Sequence, residues 1–139
     1  MRAVMQWFHL AGVIVAVGGT VFIRLVMLRS FMAIDVEPRQ QAMAGVTRWF
    51  FPLLWYAILA IAVSGVYNLV LALHIPSPLY RAVLTVKILL ALALFAIAFA
   101  ITLPWPALAR IQERRPLWMT VNIVLAAIII FLSAFLRRM

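Results

Sequence analysis

The chain has no cysteine and only three acidic residues, Asp35, Glu37 and Glu113. The first absence excludes disulfides, zinc–thiolate sites, iron–sulfur clusters and thiol chemistry. It leaves the compartment open, because a bundle held in a bilayer needs no covalent staple. The second absence excludes a pair of buried carboxylates. All three acids fall in connections between apolar runs, which argues against a carboxylate-driven pump or hydrolase. There is also no catalytic triad, no phosphate-binding loop and no internal repeat.

Apolar side chains fill the space that charge leaves. Of 139 residues, 68% are hydrophobic and 11% charged, against roughly 45–50% apolar in a soluble domain. The composition is that of an integral membrane protein of one domain, residues 1–139. A net charge of +9 would suggest nucleic acid in a soluble protein. Here the arginines stand at the ends of apolar runs, where they anchor and orient helices, so nucleic acid is not expected.

Four segments approach or exceed the roughly 20 residues that cross a hydrocarbon core: 3–28, 49–73, 81–103 and 117–136. An all-α four-helix bundle follows. The first run continues past the small residues of "AVGGT" and is read as an uncleaved span rather than a signal peptide. Asp35 is placed to cap a short interfacial helix over 36–48 that leads into the second span. "HIPSPLY" makes a tight second connection through its prolines. Arg24, Arg29, Arg39, Arg48, Arg110, Arg114 and Arg115 gather at the first and third connections, whereas Arg2, Arg81, Arg137 and Arg138 lie on the opposite face. The positive-inside rule then puts both termini on the periplasmic side of a bacterial inner membrane.

Polar residues within the spans mark the candidate site, since intramembrane ionisable groups usually face the bundle interior. His9 and Lys87 each lie about six residues into parallel spans, roughly 9 Å deep at 1.5 Å per residue. Ser64, Asn68 and Ser133 fall in the same outer half. Each span also carries a stripe of small or polar residues: His9, Gly12, Ala16, Gly19 and Ile23; Ala57, Ala60, Ser64 and Asn68; Lys87, Ala91, Leu94 and Ala98; Asn122, Ala126, Ile129 and Ser133. Plainer roles stand beside these. A histidine near a helix end can serve only as an interfacial hydrogen-bonding group, and His74 beside Pro76 reads that way. Lysine can snorkel its ammonium to the headgroups, and asparagines can be interhelical glue. Most of the tryptophans read as belt anchors.

Imidazole is a common ligand of haem iron, copper and zinc, and a lysine amine can complete an axial pair on haem. Haem b held by His9 and Lys87, with Asn68 and Ser64 nearby and Arg81 beside the propionates, is the leading expectation. Copper is the alternative ligand. Of the methionines Met5, Met27, Met32, Met43 and Met119, only Met5 stands four residues from His9.

"WFHLAGVIVAVGGTVFIRLVMLRS", "LTVKILLALALFAIAF" and "RRPLWMTVNIVLAAIIIFLSAFLRR" resemble helices of the CopD-like and HemJ-like membrane proteins. The HemJ-like resemblance implies a protoporphyrinogen oxidase with b-type haem, its essential histidine and lysine falling on His9 and Lys87. The CopD-like resemblance implies copper uptake, with His9 and Met5 near the outer surface. Before the fourth span the chain has "QERRPLW" where the oxidase carries an Asn-Glu-x-Pro type of sequence. The partners implied are membrane lipid, a redox partner or quinone, and a second copy of the chain. A non-catalytic structural subunit is the third reading.

Overall fold

The computed structural model describes residues 1–103 and 105–138. Among them there is no strand, and four helices are long and apolar enough to cross a membrane: α1 (Arg2–Phe31), α2 (Val36–Ala72), α3 (Pro78–Thr102) and α5 (Arg115–Arg137). A short α4 (Ala109–Glu113) follows a 3-10 turn in the connection before α5. The chain is thus an all-α multi-pass membrane protein. It divides into two compact units, Met1–Leu69 and Val70–Met139.

In the first unit, α1 lies antiparallel to α2 across a short turn. The expected interfacial helix over 36–48 does not stand apart: it runs without a break into the second span as one helix of 37 residues. Nothing between Val36 and Arg48 terminates a helix, and Asp35 starts it by accepting the Arg39 amide on its main-chain carbonyl (3.0 Å). Pro52 lies within α2, where its missing N–H withdraws the donor that the Arg48 carbonyl would otherwise meet. Helix α1 contains two π-helical stretches, Ile14–Gly18 and Ile23–Met27, which no hydropathy pattern announces.

The approach of α1 to α2 rests on glycine. A Cβ on Gly12 would stand 2.8 Å from the Ala57 carbonyl oxygen and 2.8 Å from Ile61 Cγ1, and one on Gly19 would collide with the Phe50 ring. Those two positions lie on the stripe read from the sequence, and no residue of that stripe is exposed.

In the second unit, α3 and α5 form an antiparallel pair. Ser77 starts α3 by accepting the Tyr80 amide on its hydroxyl (3.3 Å), with Pro78 in the first turn. At the other end, Gln112 from α4 donates its side-chain amide to the carbonyls of Ala100 (3.3 Å) and Leu103. It thereby ties the connection back onto the last turn of α3. The stripes of α3 and α5 are likewise free of exposed residues.

Candidate functional site

The structure brings His9 and Ser64 together. Two turns into α1, the His9 Nδ1 lies 2.9 Å from the Ser64 hydroxyl oxygen on α2. Ser64 is 1% exposed, the most deeply buried side chain described, and His9 is half-buried. The small residues beside them, Gly12 and Ala57, let the two helices come close enough for this bond.

Ser64 also decides which imidazole nitrogen carries the proton. Its hydroxyl lies 2.5 Å from the Ala60 carbonyl and 3.2 Å from that of Ile61, and carbonyls can only accept. The single hydroxyl proton is therefore committed to the main chain, and the oxygen accepts from His9 Nδ1–H. The lone pair of the ring then resides on Nε2, the geometry in which a histidine ligates a metal while a second group orients it.

Five other hydroxyls in the spans turn back onto their own helix. Thr20, Thr85, Thr102, Thr120 and Ser133 each donate to the carbonyl four residues earlier in their own helix. Ser133, expected to join the polar group, is satisfied in that way by Ile129 at 2.8 Å. Asn68 sits one turn beyond Ser64 on the same face and is half-buried.

Lys87 belongs to the second unit. It is half-buried on α3, within electrostatic reach of the Arg137 guanidinium on α5. The acid of the second unit, Glu113, stands in the connection at the opposite end of the α3–α5 pair. Arg81 is exposed at the start of α3, and its main-chain carbonyl takes the Thr85 hydroxyl. His74 is exposed and donates Nδ1–H to the Val70 carbonyl (3.1 Å), closing the last turn of α2.

One feature escaped the sequence reading. Met1 precedes Met5 by four residues as Met5 precedes His9, and the Met5 amide bonds the Met1 carbonyl (3.1 Å). The helical register therefore already holds at Met1, and two thioethers and an imidazole follow one another along one face of α1. The four-residue spacing of Met1, Met5 and His9 is legible in the sequence itself. Asn122, placed on the α5 stripe by its spacing, is 7% exposed, and its Oδ1 meets no hydrogen-bond donor among the described residues. Replacing a buried, unsatisfied amide by an apolar group of similar shape is neutral or favourable. Asn122→Leu should thus stabilise the detergent-solubilised protein by up to about 1 kcal/mol, read as a higher thermal transition. A lower transition would show that the amide is satisfied.

Two tests of fit concern the expected ligands. An apolar groove of about 230 Å³ opens between α1 and α2, lined by Trp7, Phe8, Gly12, Tyr56 and Ala57 among others. It falls below the roughly 300–1,000 Å³ of ordinary small-molecule sites, and a porphyrin is larger than most of their occupants. Among the described residues no group of three or more His, Cys, Asp or Glu side chains could hold a metal ion. A soft metal would have to rely on His9 and thioethers.

Residues 44–136 match the family model CopD, described as copper resistance protein D. The match takes in α3, α5 and most of α2, Ser64 and Lys87 included, and leaves His9 outside. No curated protein and no solved structure matches the chain.

Proposed function

The chain belongs to the CopD family of copper resistance proteins, and from that premise we propose that it handles copper as cargo in a bacterial inner membrane. The observation that carries this reading to particular atoms is the His9–Ser64 hydrogen bond. It joins a residue outside the matched region to one within it and directs the lone pair of the imidazole to Nε2.

Thioether sulfur and imidazole together suit Cu(I), a soft ion that accepts few ligands. His9 Nε2 and Met5 Sδ, neighbours four residues apart on one helix face, are the donors of this site. Met1 extends the same face outward. A site of two or three neutral donors holds copper without burying a compensating charge, which suits an ion that must be passed on. The sequence-based orientation puts this end of α1 on the periplasmic side, so the methionines meet copper first and His9 receives it one turn deeper.

Ag(I) binding to the purified protein tests the site, silver standing for Cu(I) without its redox chemistry. Tight binding should disappear in His9→Ala and weaken in Met5→Leu. Unchanged stoichiometry in His9→Ala would sink the assignment.

Haem b with His9 and Lys87 as axial ligands, and with it a HemJ-like oxidase activity or electron transfer, draws no support from the family match or from the groove. The protein purified from haem-replete cells should accordingly be colourless. A Soret band that shifts on reduction with dithionite would restore haem as the leading reading.

A further inference from the structure

The third connection, between α3 and α5, holds a second group of charged side chains. A cavity of about 420 Å³ opens there, lined by Arg110, Ile111, Glu113, Arg114 and Trp118. Among the described residues no ion pair joins Glu113 to either arginine, although all three charges face one cavity. The wall is built rather than loose, because Gln112, between these residues in sequence, is clamped to the end of α3 by two carbonyls. Helix α5 begins beside the cavity at Arg115 without a side-chain cap, so its positive end adds to the field of the guanidinium groups.

The depth of the cavity identifies its occupant. Helix α3 ends at Thr102 and α5 starts at Arg115, so the connection emerges at headgroup level, where Trp118 is at home as an interfacial aromatic. Two guanidinium groups suit a phosphate, which they can grip through paired N–H donors. A purely anionic headgroup leaves Glu113 repelled. A headgroup that also carries a primary ammonium gives Glu113 a charged donor and satisfies all three side chains at once. A quaternary ammonium has no N–H to offer the carboxylate and would rely on the Trp118 ring instead.

We propose that this cavity binds the phosphoethanolamine headgroup of a phospholipid, its phosphate between Arg110 and Arg114 and its ammonium on Glu113. The site is independent of copper handling.

The test is lipid retention by the full-length protein, measured by native mass spectrometry. Phosphatidylethanolamine, phosphatidylglycerol and phosphatidylcholine of identical acyl chains are offered in equal amounts. Phosphatidylethanolamine should be retained about threefold to fivefold over the other two, the value of one partly exposed ion pair. Glu113→Gln should abolish that preference while leaving total lipid retention near wild type. Arg110→Gln with Arg114→Gln should lower retention of all three. These side chains are exposed, so the variants are expected to fold. Soluble O-phosphoethanolamine, supplied as competitor, should displace the lipid poorly, since it lacks the acyl chains that hold the headgroup at this depth. Equal or better retention of phosphatidylglycerol by the wild type, a preference that survives Glu113→Gln, or full displacement by the soluble phosphoester would each overturn the proposal.

Discussion

Gly12→Ala should destabilise the protein by about 1–3 kcal/mol, the usual range for overpacking, and Gly12→Leu should leave little folded material. The added Cβ meets the main-chain oxygen of Ala57 and Ile61 Cγ1, each at 2.8 Å. Ile61 can turn aside, but the carbonyl belongs to α2 itself and moves only if the helices part. Parting them would also stretch the bond between His9 and Ser64, because all four residues lie along one line of contact. Gly18→Ala and Gly65→Ala make the informative comparison. Neither new Cβ meets any atom within 4 Å, and alanine is the better helix former by about 1 kcal/mol, so these should be neutral or stabilising. Thermal unfolding followed by circular dichroism in one detergent checks all of them. Equal effects at Gly12 and Gly65 would show that close approach of α1 and α2 does not depend on the missing side chain.

That contrast also shows what the sequence could and could not disclose. Each span was visible because about 20 apolar residues in a row have few other stable settings. The stripes were visible because small and polar residues recur at helical spacing. His9, Gly12 and Gly19 are all found on the α1 face that meets α2. Hydropathy could not reveal that α2 begins at Val36. An interfacial segment and a span differ in surroundings, not in backbone, and only a terminating residue separates them. The π-helical stretches of α1 carry no signature that hydropathy reads.

The candidate site was legible in its members more than in its bonds. Ser64 and His9 could be assigned to the same outer half of the membrane from residue counts alone. That the Ser64 proton goes to Ala60, which makes the serine an acceptor towards the imidazole, requires the distances. The cavity at the third connection was hidden for another reason. Arg110 and Arg114 were read as topology signals, a role that arginines at helix ends usually have, and charge counting does not reveal that Glu113 and Trp118 share a wall with them.

Ser64→Ala should lower the affinity for Ag(I) or Cu(I) by about tenfold to a hundredfold, as loss of a group that orients a ligating histidine does. The substitution removes one oxygen from a position 1% exposed and leaves helix α2 with its main-chain bonds intact, so the fold should persist. The imidazole loses the acceptor for Nδ1–H. It can then rotate or exchange tautomers, and the fraction of time that Nε2 presents its lone pair falls. In the His9→Ala background the same substitution should have no further effect on metal binding, because the serine acts only through the histidine. The double-mutant cycle isolates that coupling. Affinity unchanged in Ser64→Ala would mean that the bond holds the two helices together without preparing a ligand. The His9→Ala measurement alone would then decide whether His9 is a ligand, and if that variant also kept its affinity, copper handling by this family member would have to be sought among residues 44–136, where the family match itself lies.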